Sequence, residues 1–429
     1  MTNIGSLMKS LPADSLNLKG KKVLVTCCWL SGWGGGEINI LQMVQQLKKF
    51  GADVECFTYW FNGPMVGAFD KLGVKVMSDS FNYLDTEDSL KVTDISISDY
   101  DYIWVCQQVL PVSIIRQLRG VKKLPRFIFL HMSALIGIPV EAPIVWDFEK
   151  VIYDKILAIS EDTSQHIKRI LGADFEDVSY YRNPAPAEYS RVESRSGRLR
   201  KIAVISNHPP EELMGLEGII DGEVTIDYIG SWSGNYTLVD HNKLSEYDLI
   251  VGIGKNVQYC LVSGVPIYLY DHFGGCGYLN EDNFKLAREN NFSGRGFGKK
   301  DRSIIAEEII KGYSDSSRFH TINRQRFISE YSLDSVMVDV FSDIEPAKKV
   351  NDTNFSREYI NYLISMQIML HDRYVAWGGG RVVEKELNEA RQGIKERDEY
   401  IYLIKKSNSY RLGNALLKPL SYVKKITKT

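Results

Sequence analysis

The chain has 429 residues, of which 44% are hydrophobic and 25% are charged, the proportions of an ordinary globular protein. At about 100–200 residues per domain, this length predicts two or three domains. The 52 Lys and Arg residues nearly balance the 54 Asp and Glu residues, for a net charge of −2, which argues against general nucleic-acid binding. The sequence has no apolar run of about 18 residues, so no membrane-spanning helix is expected.

The six cysteines show no C-x-x-C or Cys/His metal spacing, so we expect reduced thiols and no metal site. Residues 1–20 lack the apolar core of a secretory signal peptide and are interpreted as an N-terminal extension. Together these features predict a cytoplasmic protein.

Residues 21–190 alternate short β-rich runs with helical patterns. Several runs, such as KVLVTCCW and RFIFLHM, are almost continuously apolar, as in parallel strands covered on both faces. The stretch from Asn183 to Arg200 is rich in Pro, Ser and Arg and is interpreted as a linker. The alternation then restarts over residues 200–345. The pattern predicts two tandem, doubly wound (Rossmann-like) α/β domains, with a ligand at the carboxyl ends of their strands.

Residues 346–429 form a predicted helical tail. A helix is expected from Phe355 to Trp377, broken by Gly378–Gly380. A heptad-like row further along, Leu387, Ile394 and Ile401, makes self-association one hypothesis. The segment after residue 404 has seven Lys or Arg and no acid, together with an apolar side. It is interpreted either as a solvated terminus or as a basic amphipathic end that lies on an anionic membrane.

A glycine-rich turn, WLSGWGGGE, follows the first strand and opens a helix. Gly34, Gly35 and Gly36 let the backbone approach a ligand, and the helix start favours an anion such as phosphate. The spacing differs from the G-x-G-x-x-G of dinucleotide-binding proteins, so an NAD enzyme is not expected. A turn without a ligand remains the alternative.

The second domain offers three strand ends with polar or glycine residues. Gly254 ends one strand, and Lys255 and Asn256 begin a helix, a suitable arrangement for pyrophosphate unless Lys255 is only a surface charge. The other two ends carry Ser206, Asn207 and His208, and then Asp271 and His272 before a predicted glycine-rich turn over 273–277 that includes Gly274 and Gly275.

In the first domain, His131 closes the apolar strand RFIFLHM. An imidazole at this position can bind a hydroxyl group or take part in acid–base chemistry. A structural histidine is the alternative.

The order of these motifs resembles the GT-B glycosyltransferases. The resemblance rests on the GGGE turn, ILAISEDTSQHIKRILG, YYRNPAP, SNHPPEE and YDHFGGCGYL, and covers about residues 21–345. It is greatest to retaining, family 4-like enzymes of bacterial surface-polysaccharide synthesis. The resemblance implies that the second domain holds a nucleotide sugar and that the first receives a glycan or lipid-linked acceptor, in the cytoplasm or at the inner face of its membrane.

The resemblance also implies roles for single residues. Lys255 and the helix start after Gly254 would hold the pyrophosphate, and Gly35 and Gly36 would approach the donor. Glu37 and His131 would contact the acceptor or the transferred sugar. The remaining donor-site residues would be Gly34, Ser206, Asn207, His208, Asn256, Gln258, Tyr259, Asp271, His272, Gly274 and Gly275.

Two departures from the family pattern bear on activity. The family's Glu-x7-Glu pair falls here on Val251 and Tyr259, so both acids are missing. The family's usual Arg and Lys after the first strand of the second domain are also missing, and SNHPPEE stands in their place. The sequence is therefore compatible with an inactive site or with an unusual donor. Enzymes of this type need no metal or other cofactor. The alternative from another class is a non-catalytic GT-B-like module that binds a glycan or a partner protein.

Overall fold

A computed structural model describes residues 16–81, 90–121, 123–134, 146–172, 177–192, 197–220, 222–342, 344, 355–407 and 410. Two α/β domains follow each other along this chain, and each has its own sheet. The fold class predicted from the sequence is therefore confirmed.

The first domain is built on a seven-stranded sheet in the order β3-β2-β1-β6-β7-β8-β9, with every pair parallel. Its strands, with the separate pair β4 and β5, are β1 (Lys22–Leu30), β2 (Asp53–Phe61), β3 (Lys75–Met77), β4 (Ser80–Phe81), β5 (Leu90–Lys91), β6 (Tyr102–Cys106), β7 (Arg126–His131), β8 (Tyr153–Ala158) and β9 (Val178–Tyr180). The helices are α1 (Gly35–Lys49), α2 (Gly63–Leu72), α3 (Val112–Gln117), α4 (Trp146–Ile152) and α5 (Glu161–Leu171).

The second domain has a five-stranded sheet in the order β11-β10-β12-β13-β14. Its strands are β10 (Lys201–Ile205), β11 (Thr225–Ile229), β12 (Leu249–Gly252), β13 (Ile267–Asp271) and β14 (Gly274–Tyr278), of which β14 is antiparallel to β13. The helices that follow are α6 (His241–Leu244), α7 (Lys255–Ser263), α8 (Phe284–Glu289), α9 (Arg302–Tyr331), α10 (Leu333–Ser342) and α11 (Arg357–Lys406).

Alternation along the strands buries both faces of the second sheet. Ala203 and Ile250 lie in one hydrophobic cluster, whereas their neighbours Val204 and Val251 lie in another on the opposite face. Successive side chains of a strand point to opposite faces, so a continuous apolar run covers both. This is the layered arrangement that the apolar runs predict.

The chain returns to the first domain after completing the second. Leu333, Met337 and Phe341 of α10 pack in the same hydrophobic cluster as the first sheet. Where the chain crosses, Ala185 pairs with Ser332 in a parallel bridge, so the outgoing and returning segments are hydrogen-bonded to each other. Residues 200–345, which the sequence pattern assigns to the second domain, thus include a helix that packs in the core of the first domain.

Two local predictions were wrong. Gly378–Gly380 do not break the helix, because α11 continues through them to Lys406. The predicted turn over 273–277 is mostly the strand β14, since the chain doubles back after Asp271 and pairs with β13. Alternation of short apolar runs cannot show whether a glycine-rich segment turns away or pairs with its neighbour.

The tail begins within the main compact unit, which extends to residue 372, and residues from Arg373 onward form a second unit. Phe355, Ile360 and Leu363 are buried. Of the basic end after residue 404, residues 408–409 and 411–429 lie outside the described residues. In the part of the chain that the structure describes, no helix is long and apolar enough to cross a membrane.

Candidate functional site

Each sheet has a point where the strand order reverses. In the first sheet it lies between β1 and β6, and in the second between β10 and β12. Ligands of open α/β sheets bind at the carboxyl ends of the strands beside such a point. The predicted motifs after Leu30, Ile205 and Gly252 therefore all lie at switch points or next to them.

The loop after β1 in the first domain meets the loop after β11 in the second domain. The backbone N–H of Trp33, in the glycine-rich turn, donates to the hydroxyl oxygen of Tyr236 at 2.6 Å. A Cβ built on Gly32 would lie 2.7 Å from the same hydroxyl. Tyr236 follows β11 in a turn that the sequence analysis did not single out. The two carboxyl edges thus face each other, with Tyr236 closing the distance between them.

Glu37 organises the glycine-rich turn. One carboxylate oxygen accepts from the N–H groups of Ser31 and Gly32 at 2.6 and 2.8 Å, and the other accepts from the N–H of Gly34 at 3.3 Å. The side chain is buried. Glu37 was predicted to contact an acceptor or sugar, and the structure places its carboxylate among these backbone donors instead of in open space.

Gly34, Gly35 and Gly36 of the turn differ in their surroundings. A Cβ on Gly34 would lie 2.7 Å from the Glu37 carboxylate, whereas one on Gly35 would meet nothing within 4 Å. Gly36 has only ordinary contacts, at 3.9 Å, with Gln107 and Met132. Packing therefore does not require glycine at Gly35, an exposed position at the start of α1, and the lack of a side chain there leaves space for a ligand.

Lys255 joins the two domains. Its ammonium group donates to Oδ1 of Asn39 at 3.1 Å and to the carbonyl of Pro184. Lys255 is buried, and burial lowers the pKa of its ammonium group well below the usual value of 10.5. The ammonium group of Lys255, which was predicted to bind pyrophosphate, is therefore already hydrogen-bonded to protein oxygens.

Tyr259 is also held between the domains. Its hydroxyl accepts a hydrogen bond from Nε2 of Gln42 at 2.7 Å, and its ring stacks on that of Tyr189 with centroids 4.1 Å apart. Burial raises the pKa of the hydroxyl, which stays neutral at physiological pH. The residue that replaces the expected acid is thus a packed aromatic side chain that is hydrogen-bonded to Gln42 of α1.

Asp271 ties together two loops of the second domain. Ser206 Oγ donates to its two carboxylate oxygens at 3.2 and 3.0 Å, and the N–H of His272 donates at 2.8 Å. Burial raises the pKa of Asp271 above its usual value. The indole N–H of Trp232 donates to the carbonyl of Ser206 at 3.0 Å. Three strand ends, those of β10, β11 and β13, therefore converge.

The imidazoles of this edge are accessible. His208 is exposed, and its backbone N–H donates to Ser206 Oγ. His272 has about half its side chain exposed and lies against Phe273 with ring centroids 4.0 Å apart. Asn207 Oδ1 accepts from the N–H of Ser231 at 3.2 Å. These side chains can reach a ligand from the second domain.

The remaining predicted residues lie around α7. Gly254 precedes it with φ of 58°, a left-handed conformation that favours glycine. Asn256 is half-buried, and Gln258 is buried with its Oε1 lacking a partner among the described residues. Gln258 helps to line a cavity of about 10 Å³ that also contacts Arg182 and Tyr331.

Gly274 and Gly275 serve packing within the second domain. A Cβ on Gly274 would lie 2.4 Å from the carbonyl oxygen of Gly298, and one on Gly275 would lie 1.9 Å from that of Leu269. Close backbone approach explains glycine at both positions.

His131 forms a buried pair with an acid. Its Nε2 lies 2.9 Å from Oε2 of Glu149, and both side chains are almost fully enclosed. Glu149 was missed in the sequence because it lies on α4, with no motif around it. A carboxylate beside an imidazole orients the ring, which is the arrangement used in acid–base and positioning roles.

Two strained residues mark the first switch point. Gln107 and Gln108 follow β6 with φ values of 56° and 62°, in the left-handed region that non-glycine residues rarely adopt. Gln107 Oε1 accepts from the N–H of Cys28 at 3.0 Å. Such strain costs about 1–3 kcal/mol and gathers at functional sites. No sequence signal identified this pair.

The described residues contain no group of three or more His, Cys, Asp or Glu that can hold a metal ion. The prediction of a metal-free site is not tested by this observation.

Comparisons with known proteins give a likeness in structure only. No family model matches the sequence, and no curated protein matches it. Among solved structures, TarM is 11% identical with a TM-score of 0.47, over 76% of this chain and 99% of that one. WaaG, a glycosyltransferase involved in lipopolysaccharide biosynthesis, is 9% identical with a TM-score of 0.42, over 75% and 100%.

A UDP-N-acetylglucosamine 2-epimerase also matches, with 10% identity and a TM-score of 0.37 over 75% of this chain and 95% of that one. The matched proteins thus include an epimerase as well as a glycosyltransferase. One fold hosts many activities. At these identities and TM-scores the likeness carries no argument about function, which rests on the site itself.

Proposed function

We propose that the protein is a glycosyltransferase that moves a sugar from a nucleotide-sugar donor to a glycan or lipid-linked acceptor, with retention, in cell-surface polysaccharide synthesis. The observation that carries the proposal is the contact between the carboxyl edges of the two sheets, where the N–H of Trp33 after β1 donates to the hydroxyl of Tyr236 after β11. A donor held by one sheet edge and an acceptor held by the other would be brought together there.

The second domain supplies the donor side of the proposed site. Ser206, Asp271 and Trp232 join three strand ends around accessible His208 and His272. We assign the diphosphate to Lys255 and the first turn of α7, whose N–H groups and ammonium charge would stabilise the leaving diphosphate without a metal.

The first domain supplies the acceptor side. Gly35 leaves open space at the start of α1, and His131 with Glu149 stands at the end of β7. Since both partners of this pair are buried, we propose that they position the acceptor side of the site without direct proton transfer. We place the enzyme in the cytoplasm.

Donor binding requires the domains to separate in this proposal. Nucleotide-sized ligands occupy pockets of about 300–1,000 Å³, whereas the cavity beside Gln258 has about 10 Å³ and Lys255 is satisfied by Asn39 and Pro184. Phosphate oxygens would replace these two oxygens as ligands of the ammonium group.

The closed arrangement also supports a second candidate, a non-catalytic module that binds a glycan or a partner protein. Calorimetry with UDP-, GDP- and dTDP-sugars separates the two. We expect one donor to bind, with turnover that persists in a chelator. Absence of binding by every donor would favour the module.

A pair of variants tests whether the turn contributes. Gly35→Val should abolish donor or acceptor binding while thermal unfolding stays normal, because a side chain would fill the open space at α1. Gly67→Val is the matched control, since a Cβ at Gly67 of α2 also meets nothing within 4 Å. Equal binding by both variants would contradict the role of the turn.

A further inference from the structure

The end of α11 exposes apolar side chains on all sides. Tyr400, Tyr402 and Leu403 are 65%, 61% and 62% exposed, and Ile401 and Ile404 between and after them are 39% and 40% exposed. Successive residues of an α-helix are about 100° apart around its axis. Five consecutive apolar residues therefore surround the helix.

A partner helix would cover only part of this surface. A coiled-coil contact uses positions that recur every three or four residues along one face. Leu387, Ile394 and Ile401 form such a row, and the first two are 48% and 50% exposed. A helix packed on that row would cover Ile401 and leave most of Tyr400, Tyr402 and Leu403 in water.

The charged residues next to these apolar side chains indicate what kind of partner covers them. Lys405 and Lys406 follow directly and are exposed. The sequence from Lys405 to Thr429 contains seven cations and no acid. Tyrosine and lysine are both suited to the headgroup region of a membrane, and cations are attracted to anionic lipid.

We propose that residues 400–406, the helix-end anchor, insert into the headgroup region of an anionic membrane. There, lipid can surround the helix and cover the apolar side chains on every side, which a one-sided protein contact cannot do. The proposed membrane contact lies at the end of α11, before residues 411–429. It does not depend on the proposed transferase activity.

Vesicle sedimentation of the full-length protein tests the anchor. The probes are phosphatidylcholine vesicles with and without phosphatidylglycerol. We expect binding to the anionic vesicles, and the double variant Tyr402→Ser, Leu403→Ser should bind about tenfold or more weakly, since two apolar side chains lose their lipid contact. Lys405→Gln, Lys406→Gln should weaken binding only to the anionic vesicles.

The matched control is Leu387→Ser, Ile394→Ser, which removes two apolar side chains from the heptad-like row of the same helix. It should bind vesicles like the unmodified protein. Full vesicle binding by the Tyr402 and Leu403 variant would assign any membrane contact to other residues and overturn the proposal. Sedimentation velocity without vesicles gives a second check. A dimer that is dissociated by the Tyr402 and Leu403 variant, but not by the Leu387 and Ile394 control, would also overturn the proposal.

Discussion

Gln42 of the first domain donates a hydrogen bond to the hydroxyl of Tyr259 in the second at 2.7 Å, although 217 positions separate them in the sequence. Both side chains are buried, and Oε1 of Gln42 has no partner among the described residues. The Tyr259 hydroxyl is therefore the polar contact that compensates for burying the Gln42 amide at the domain boundary.

Removing that hydroxyl should weaken the closed arrangement. Tyr259→Phe keeps the ring stacked on Tyr189 but leaves Nε2 of Gln42 without an acceptor, which costs about 1–3 kcal/mol in the free energy of unfolding. Urea denaturation measures this loss. Gln42→Leu, Tyr259→Phe removes both polar groups and should recover part of the stability. A single variant as stable as the unmodified protein would contradict the contact.

The glycine-rich turn should depend on the Glu37 carboxylate. Glu37→Gln replaces one acceptor oxygen by an N–H₂ group that would face the backbone donors of Ser31, Gly32 or Gly34, so we expect a loss of about 1–3 kcal/mol. Chemical denaturation provides the measurement. Glu211→Gln, at an exposed position, should change stability by less than about 0.5 kcal/mol. Similar effects of the two substitutions would argue against the proposed organisation of the turn.

The buried ammonium group of Lys255 should make stability depend on pH. Its folded-state pKa is well below the unfolded value of 10.5, so between these two pKa values the unfolded chain binds more protons. The contribution of Lys255 to the free energy of unfolding therefore rises as pH increases between these two pKa values. We expect the unfolding free energy of the protein, relative to that of Lys255→Met, to increase from pH 7 to about pH 9. A constant difference between the two proteins would contradict the lowered pKa.

The pairing of β13 with β14 should require glycine at position 275. A Cβ there would lie 1.9 Å from the carbonyl oxygen of Leu269, so Gly275→Ala should destabilise the protein by about 3 kcal/mol or more through backbone displacement. Gly298→Ala is the control, because its Cβ would meet nothing within 4 Å, and it should cost less than about 1 kcal/mol. Thermal unfolding of both variants provides the comparison. A fully stable Gly275→Ala protein would show that this segment does not pair as described.

Local patterns in the sequence predicted much of the fold. The glycine before Lys255 and the one after Ser263 delimit α7 at the residues where the structure begins and ends it. The apolar runs predict most strands of both sheets, and Ser206 and Asp271 lie at the ends of β10 and β13, where the pattern places them. These features depend on residues within a few positions of one another, so a single sequence displays them.

Other features depend on residues far apart along the chain. Lys255 is predicted as an accessible ligand, yet Asn39, 216 positions away, holds it in the interior. Glu149 gains its significance only because α4 places it beside His131. The packing of the two domains and the return of α10 to the core of the first domain decide which polar side chains are buried and which partners they meet. The local composition around Lys255 or Glu149 carries no record of those distant partners.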